Sequence, residues 1–339
     1  MAVTIKDIAK QVGLSVTTVS RALNDFDDVN AKTKELIRQT AAEMGYVPNS
    51  LAQRFRKRKS DTIGFILPTF GPRFSDPFFS EFLAGIGNKA ANQGYDLLVS
   101  TRSPGDEELL AYRHMVQGHR VEGLVIVRTR KHDERIDYLR SVEFPFVSFG
   151  RTEGELDYPF VDEDGESGFR LVADHLVNLG HQRIACIASP PDLMFSQYRL
   201  GGLRSRLQEL NVPLDPDLIR LGNLTQRSGY EQAMELLDLP SPPTAIVAFN
   251  DLMALGTMSA AQKRGLVVGS DISITGFDNI PMADHSHPPL TTLDQPIYQI
   301  GSMVCEMLIK SVKGEALEQK QVLLQPELNI RESSGQVKL

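Results

Sequence analysis

Cysteine is scarce in this chain of 339 residues, and this scarcity excludes a disulfide framework. The two cysteines, Cys186 and Cys305, are 119 positions apart and form no CxxC or other metal-binding spacing. We expect both to be buried free thiols in a reducing compartment. His285 and His287 form another candidate metal pair, but the segment ADHSHPP is more typical of a solvated loop. The sequence therefore predicts neither a metal nor a cofactor.

Long apolar runs are also missing. No stretch approaches the ~18–20 consecutive apolar residues that a membrane-spanning helix needs. The opening residues, MAVTIKDIAK, bring charges early and lack the apolar region of a secretory signal. We therefore expect a cytoplasmic protein with no membrane partner. An apolar fraction of 41% is enough to build a folded core.

Common catalytic motifs are absent as well. The sequence contains no GxxxxGK followed by Ser or Thr, no GxGxxG after a strand pattern and no HExxH. Residues 165–168, GESG, approach the GxSxG pattern, but Phe169 stands where its last glycine belongs. We expect that the protein is not an enzyme.

Positive charge is concentrated near the N-terminus. Residues 1–60 hold 11 of the 36 basic residues and 6 of the 43 acidic ones, a net charge of +5. The whole chain carries −7, so the remaining 279 residues carry −12. Because basic segments attract polyanions, this asymmetry favours a nucleic acid as the partner of the first 60 residues, although a charge run is also typical of a solvated face.

The first 46 residues show the pattern of three short helices. Thr4 and Asp7 have the layout of a capping box ahead of a helix that ends at Gly13. Ser15 is a good N-cap for a second helix, VTTVSRALN, and a third begins near Asn30. The apolar residues expected to face inward are Val19, Ala22 and Leu23 on the second helix and Leu36, Ile37, Ala41 and Met44 on the third.

The second helix has the side chains that a major groove accepts. Its outward residues are short, and Arg21 is long enough to reach a guanine edge or a phosphate. Two short helices joined by a glycine turn are the pattern of a helix-turn-helix. A small helical bundle with an incidental polar face is the alternative.

From Asp61 onward, apolar runs alternate with amphipathic helical patterns. The runs are TIGFILP (62–68), YDLLVS (95–100), EGLVIVR (122–128), FPFVSFG (144–150), RIACIAS (183–189), TAIVAFN (244–250) and DISITGF (271–277). Continuous hydrophobicity is typical of strands that are buried on both faces, as in parallel sheets with helical crossovers. The pattern predicts two α/β lobes, each with a doubly wound parallel sheet.

Ligands of such sheets bind beyond the carboxyl ends of the strands. The residues at these ends are Thr69 and the DPFF segment, Thr101-Arg102, Arg128-Thr129, Gly150-Arg151, Ser189, Asn250-Asp251 and Asp278-Asn279. These hydroxyls, amides, charges and paired aromatics suit a small polyhydroxylated ligand. Asn250 and Asp278 are also consistent with helix caps, and Phe78 and Phe79 with core positions.

Over nearly its whole length the sequence resembles the LacI/GalR family of bacterial transcriptional regulators. The stretches that carry the resemblance are TIKDIAKQVGLSVTTVSRALN, MGYVPNSLAQRFR, DPFF, VDEDGESGF, HLVNLGHQRIA, YRLGGLR, TAIVAFNDLMALG, DISITGFDNIPMADHSHPPLTTLDQP and LLQPELNIRES. The resemblance implies an α/β fold with an N-terminal helix-turn-helix head, a hinge helix and a two-lobed core similar to periplasmic binding proteins. It also implies a homodimer, operator DNA (palindromic) and a small-molecule effector, most simply a sugar.

The resemblance also implies domain boundaries. We expect a DNA-binding domain at 1–46 and a hinge helix and linker at 47–60. The N-terminal lobe of the core should comprise 61–160 plus about 291–322, and the C-terminal lobe 161–290 plus about 323–333. The segment LTTLDQP, near 290–296, should therefore return to the N-terminal lobe. The C-terminal residues, SSGQVKL, show no leucine heptad, so we expect a dimer.

Family positions that contact DNA map onto the head and hinge. Base reading is expected from Val16, Thr17 and Arg21, and the other positions that contact DNA or brace the helices are Thr4, Ser15, Thr18, Asn24, Asn30, Thr33, Tyr46, Asn49 and Ala52. Phe55 lies in the hinge run NSLAQRFRKRKS, where an apolar side chain is expected to wedge between base pairs in the minor groove. Packing of Phe55 on its dimer mate or on the core is the alternative.

Family positions that contact the effector map onto the core. They are Phe78, Phe79, Arg151, Arg199, Leu224, Asn250 and Asp278. Leu224 stands where many relatives have Trp or Phe, and Gly150-Arg151 replaces a common Asp-Arg pair. The loop TFGPRFS, ahead of DPFF, looks longer than usual.

The sequence therefore predicts a sequence-specific regulator, most simply a repressor of carbohydrate utilisation genes that is switched by a sugar. A regulator of the same family that responds to a purine or another metabolite is one alternative. A solute-binding transport receptor is an alternative from another class.

Overall fold

A computed structural model of the chain describes residues 3–46, 60–69, 76–154 and 156–338. The chain divides into two compact units, Met1–Ser60 and Asp61–Leu339. Most of the predicted hinge segment and residues 70–75 of the loop before DPFF lie outside the described residues. None of the described helices is both long and apolar enough to cross a membrane.

The first unit contains the three predicted helices. They are α1 (Ile5–Val12), α2 (Val16–Leu23) and α3 (Ala31–Glu43). Ile8, Val19 and Ile37, one from each helix, are fully buried and form the centre of a small core. The prediction that Leu36 faces inward was wrong, because its side chain is 51% exposed. Adjacent helical residues are rotated by about 100° about the axis, so Leu36 leaves the face that Ile37 occupies.

The second unit contains two six-stranded sheets. The first sheet has the order β11-β5-β4-β3-β1-β2 and the second β12-β10-β9-β8-β6-β7. The strands are β1 (Thr62–Pro68), β2 (Asp96–Arg102), β3 (Gly123–Ile126), β4 (Phe146–Phe149), β5 (Phe160–Glu163), β6 (Ile184–Ala188), β7 (Ile219–Leu221), β8 (Ala245–Ala248), β9 (Ser273–Asp278), β10 (Thr291–Asp294), β11 (Gln321–Leu324) and β12 (Glu327–Asn329). All neighbours pair in parallel except β12, which is antiparallel to β10.

Helices connect the strands and cover the sheets. In the first lobe they are α4 (Pro77–Asn92), α5 (Asp106–Gln117), α6 (Glu134–Ser141) and α12 (Ile297–Lys313). In the second lobe they are α7 (Gly165–Asn178), α8 (Met194–Glu209), α9 (Gln226–Leu237), α10 (Asp251–Lys263) and α11 (Pro281–His285). Strand β1 is buried along its whole length, which explains why its sequence does not alternate between apolar and polar residues. The prediction of two doubly wound parallel sheets is confirmed.

The segment LTTLDQP does not return to the first lobe as predicted. Strand β10 pairs with β9 and β12 in the second sheet, and the chain enters the first lobe only with α12. The predicted lobe boundaries at 160 and 322 also fall inside strands β5 and β11. Both strands belong to the first sheet over their whole length. Strand pairing is decided by contacts that are distant in sequence, so a short apolar run does not reveal which sheet it joins.

Both cysteines are buried free thiols, as predicted. Burial raises the pKa of Cys186 and of Cys305 to about 12. Neither thiol is therefore a thiolate at neutral pH.

Candidate functional site

The head has the geometry of a helix-turn-helix. Gly13 ends α1 in the left-handed conformation, with φ of 68°, which allows the chain to turn sharply into α2. The Ser15 hydroxyl caps α2 by accepting a hydrogen bond of 3.0 Å from the Thr18 backbone N–H. Thr4 caps α1, and its N–H and hydroxyl both donate to Asp7 Oδ2, at 2.9 and 2.7 Å. The capping pattern predicted from the sequence is therefore present at both helix starts.

The outer face of α2 presents small side chains. Val16 is 44% exposed and Thr17 is exposed, at the first two positions of the helix. The Arg21 guanidinium lies 2.6 Å from an Asp28 carboxylate oxygen and 4.4 Å above the centre of the Phe26 ring. Asp28 and Phe26 therefore both contact the Arg21 guanidinium on this side of the head.

Other head residues that are predicted to contact DNA lie at the ends of helices. Asn30 caps α3 by accepting 2.8 Å from the Thr33 N–H, and Asn24 follows α2 and donates to the Ser20 carbonyl at 2.5 Å. Tyr46 packs partly buried against the head core. Asn49, Ala52 and Phe55 lie outside the described residues.

A cleft lies between the carboxyl ends of the two sheets. It encloses about 580 Å³ that protein atoms do not occupy, part of it open to solvent. Of the seven predicted effector residues, six line this cleft: Phe78, Phe79, Arg199, Leu224, Asn250 and Asp278. Arg151 is not among the lining residues, although its neighbour Gly150 is. The rule that ligands bind beyond the strand ends therefore located the cleft.

Aromatic side chains from both lobes form an apolar surface in the cleft. Phe78 begins α4 after Pro77, and its ring stacks on Phe149 with 5.7 Å between the ring centres and an angle of 21° between the planes. Phe79 and Phe195 also line the cleft. Such a surface can pack against the C–H face of a sugar ring or against a planar base.

The arginines around the cleft are all held by carboxylates. Arg199 Nη2 lies 2.7 Å from Glu163 Oε1, and Arg199 Nη1 donates to the Phe249 carbonyl at 2.5 Å. Arg199 also lies 3.6 Å above the centre of the Phe277 ring.

The two other arginines have similar partners. Arg128 Nη2 is 3.5 Å from Asp76 Oδ2, and Arg151 Nε is 3.0 Å from Asp162 Oδ2. Arg151 is outside the lining of the cleft although Asp162 belongs to it, and the Arg151 guanidinium also lies 4.2 Å above the centre of the Tyr198 ring.

Asn250 both caps a helix and lines the cleft. Its Oδ1 accepts 3.0 Å from the Met253 N–H at the start of α10, and its Nδ2 donates to the Leu224 carbonyl at 3.2 Å. The sequence allowed Asn250 to be either a helix cap or a residue of the ligand site, and one position is compatible with both.

Asp278 is held by a residue that the sequence did not single out. Asp278 Oδ1 accepts 2.6 Å from Gln295 Nε2, and burial raises the pKa of Asp278 well above its ordinary value. Gln295 is 5% exposed, and its Oε1 is buried without a hydrogen-bond partner among the described residues. An acceptor in this position is suited to a hydroxyl of a ligand.

Several backbone positions at the cleft are in the left-handed region. Arg128, Leu224 and Asp278 have φ of 51°, 68° and 115°. Side chains other than glycine adopt such angles at a cost of about 1–3 kcal/mol, and such residues are concentrated at binding sites. This strain supports the cleft as a functional site.

Main-chain hydrogen bonds join the two lobes beside the cleft. The Met194 N–H donates to the Thr129 carbonyl at 2.9 Å, and the Lys131 N–H donates to the Asp192 carbonyl at 3.1 Å. The segment after β3 therefore contacts the start of α8, the helix that carries Arg199.

The residues that sequence reasoning missed in the cleft are Val127, Phe149, Asp162, Glu163, Phe195 and Gln295. Phe149 and Gln295 lie near the ends of predicted strand segments, so they would have been included if the last residues of each segment had been counted with those that follow it. Asp162 and Glu163 belong to β5, a four-residue strand that the sequence pattern did not reveal. Among the described residues, no group of three or more His, Cys, Asp or Glu side chains could hold a metal ion.

Comparison with protein families gives two matches. Residues 4–49 match the family of bacterial regulatory proteins called the lacI family, and residues 173–334 match a periplasmic binding protein-like domain. The chain is 36% identical over 339 residues to the HTH-type transcriptional regulator AglR of Rhizobium meliloti (strain 1021), covering 99% of this chain and 95% of AglR.

Two solved structures resemble the whole chain. The crystal structure of the lac repressor dimer bound to operator and the anti-inducer ONPF has a TM-score of 0.86 and 30% identity, covering 99% of this chain and 100% of that one. The complex of the transcriptional regulator CelR with cellobiose has a TM-score of 0.75 and 29% identity, covering 98% and 99% of the two chains.

Proposed function

The chain belongs to the LacI family of bacterial transcriptional regulators, and from that membership we propose that it represses carbohydrate utilisation genes under the control of a sugar. In this proposal a homodimer binds a palindromic operator through its two heads. A sugar bound between the lobes then releases the dimer from DNA.

The observation that carries the proposal is the composition of the cleft. Stacked aromatic rings form an apolar surface, and buried acceptors such as Asp278 and Gln295 Oε1 lie around it. A sugar has both an apolar C–H face and hydroxyl donors, so it satisfies both parts of the surface. The cellobiose complex of CelR supports a sugar as the class of ligand.

The head supports the DNA half of the proposal. Val16, Thr17 and Arg21 lie on one exposed region of α2, where a major-groove helix carries its base contacts. Thr4, Ser15 and Asn30 cap the three helices of the head, so in this proposal they hold the orientation of α2. The operator complex of the lac repressor supports the same mode of binding.

Switching requires that the sugar changes the relation between the lobes. Arg199 and Asn250 come from the second lobe and Phe78 from the first, so a ligand that contacts all three favours one arrangement of the lobes. A coupling free energy of about 1–3 kcal/mol would change operator affinity about 5–150-fold.

The DNA contacts are tested by comparing two arginines of the head. Arg21 pairs with Asp28 on the proposed reading face, whereas Arg38 on α3 pairs with Asp25 at 2.8 Å. We expect R21A to weaken binding to the operator by about 10-fold or more and to reduce its discrimination against unrelated DNA. R38A is the matched control and should retain that discrimination. Fluorescence anisotropy with labelled duplexes at fixed salt measures both. Equal discrimination by R21A and the unaltered protein would contradict the assignment.

The effector is tested by a thermal-shift screen followed by operator release. We expect one or more sugars to stabilise the core and to lower operator affinity, whereas nucleobases and nucleosides should do neither. The stacked pair of Phe78 and Phe149 is the feature that would also suit a planar base. Operator release by a purine and by no sugar would replace the sugar proposal with that alternative.

A further inference from the structure

The charges of the cleft restrict the effector more narrowly than its shape does. Arg199 is paired with Glu163, and Arg128 with Asp76. Arg151, just outside the lining, is paired with Asp162. Neither lysine nor histidine occurs among the described residues that line the cleft. Every guanidinium near the site therefore already has a carboxyl partner.

Two of the helix N-termini at the cleft are capped by side chains of the protein. Asp76 and Asn250 both line the cleft and cap α4 and α10, accepting from the N–H groups of Phe78 at 3.2 Å and Met253 at 3.0 Å. Uncapped helix N-termini are a common device for binding phosphate. At α4 a carboxylate of the protein occupies that position.

One carboxyl group remains beyond these pairs. Asp278 is buried in the cleft, and its hydrogen-bond donor is the neutral amide of Gln295. Burial raises the pKa of Asp278, and it raises the pKa of Asp162 to about 8, so the surroundings oppose additional negative charge. The unpartnered Oε1 of Gln295 requires a donor.

From these contacts we infer that the effector is an uncharged molecule rich in hydroxyl groups, and that the cleft rejects phosphorylated and carboxylated sugars. The inference rests on the proposed role of the cleft as the effector site. A ligand anion would compete with the protein's own carboxylates for each arginine, and at Arg199 it would lie close to the Glu163 carboxylate. Hydroxyl groups, by contrast, donate to these same oxygens without adding charge.

The expected discrimination is large. A ligand anion and the Glu163 carboxylate are two like charges, and at a separation of about 6 Å and an effective dielectric constant of about 20 such a pair changes a binding constant about 100-fold. A sugar phosphate should therefore bind about 100-fold more weakly than the parent sugar.

Matched pairs of ligands test the inference on the full-length protein. Isothermal titration calorimetry compares maltose with maltose 6′-phosphate, sucrose with sucrose 6-phosphate, trehalose with trehalose 6-phosphate, and glucose with glucuronate, in which the pyranose ring is kept. We expect that, in any pair that binds, the neutral member binds about 100-fold more tightly. A phosphorylated or carboxylated member that binds as tightly as its neutral parent would overturn the inference.

A variant tests the role of the ion pairs independently of the sugar. E163Q removes the carboxylate beside Arg199. E153Q is the control, because Glu153 forms an exposed ion pair of 3.1 Å with Lys131 and neither residue lines the cleft. We expect E163Q to gain a binding event for inorganic phosphate that the unaltered protein and E153Q lack. Sites for phosphate on the basic head are common to all three proteins and cancel in the comparison.

The outcomes separate the two proposals. If no neutral sugar or charged partner binds in any pair, the thermal-shift screen still decides the sugar effector, and the phosphate titration alone decides the charge inference. Identical phosphate binding by E163Q, E153Q and the unaltered protein would overturn it. If E163Q does not fold, a second comparison takes its place. Inorganic phosphate binding is then measured for the unaltered protein and for the cleft variant N250A. A phosphate site in the unaltered protein that N250A abolishes would refute the inference, and its absence would support it.

Discussion

Replacing Arg135 with Met should destabilise the core more than any change to an exposed arginine. Arg135 is fully buried at the start of α6, where its guanidinium contacts Asp133 Oδ1 at 2.8 Å, Asp133 Oδ2 at 2.6 Å and Glu108 Oε1 at 2.6 Å. Its Nη2 also donates to the Arg128 carbonyl at 3.0 Å. Arg130 reaches Glu108 from the other side. This network therefore holds the segment that lines the cleft and contacts the second lobe.

The magnitude follows from what the substitution leaves behind. Removing one partner of a buried ion pair costs about 3–5 kcal/mol, because the other charge remains in a low-dielectric site. After R135M, Glu108 keeps Arg130, but Asp133 loses its guanidinium partner. For a unit of this size, the loss should lower the melting temperature by roughly 5–9 °C. The exposed Arg227, which is 87% exposed and pairs with Glu231, provides a control, since R227M should cost less than about 1 kcal/mol.

The pH dependence distinguishes a lost ion pair from simple loss of packing. In the unaltered protein burial raises the pKa of Asp133, but hydrogen bonds and charge from Arg135 outweigh burial and hold it below its ordinary value. Its contribution to stability is therefore present above the unfolded pKa of about 3.9 and is lost only as the pH falls below it. Without the Arg135 guanidinium, burial is opposed only by two backbone N–H groups and by the charge of Arg130, so that pKa should rise and the variant should lose less stability than the unaltered protein as the pH falls.

Melting temperatures measured by scanning calorimetry between pH 7.5 and 5.0 test this reasoning. We expect the difference between R135M and the unaltered protein to be largest at pH 7.5 and to narrow as the pH falls. The reasoning is refuted if R135M melts within about 2 °C of the unaltered protein at pH 7.5. A large loss that does not change with pH would show that the guanidinium matters through packing alone.

Three further predictions concern packing, protonation and DNA. A Cβ on Gly202 of α8 would lie 2.2 Å from the Glu166 carbonyl oxygen, so G202A should destabilise the core by about 1–3 kcal/mol in urea denaturation. The control is G201A, which should be neutral or slightly stabilising because a Cβ on Gly201 would have nothing within 4 Å. His181 Nδ1 is hydrogen-bonded to the Thr244 hydroxyl at 2.9 Å and Nε2 to the Ser273 hydroxyl at 2.8 Å, and burial lowers the pKa of the ring. The unfolded chain therefore binds the proton first, so the free energy of unfolding should fall as the pH drops below about 6.5. H181N should reduce this slope in melting temperatures measured from pH 8 to 5.5, and an unchanged slope would count against it. F55A should weaken binding to specific operator DNA while leaving most of the salt-dependent non-specific binding, and an equal loss of both in salt-titrated anisotropy would show that the ring is structural.

Local patterns in the sequence were sufficient for the head and for most of the strands. Capping residues such as Ser15 and Asn30, together with a glycine turn, act within a few positions of themselves, so α1, α2 and α3 begin and end where the pattern predicts. The seven predicted apolar runs all contain strands, because burial on both faces of a parallel sheet requires continuous apolar sequence. The strand-end rule indicated Phe78, Phe79, Asn250 and Asp278, and the family resemblance added Arg199 and Leu224; all six line one cleft.

Tertiary structure decided the rest, for a physical reason that is the same in each case. The sheet that β10 joins, and the existence of short edge strands such as β7 and β12, depend on hydrogen bonds between segments that are distant in sequence. The partners of the cleft charges are similarly remote, since Arg199 and Glu163 are 36 positions apart and Gln295 and Asp278 are 17 apart. The sequence by itself determined the kinds of side chain at the strand ends. Only the folded chain determined which of those charges cancel one another, and hence which ligand the remaining atoms can bind.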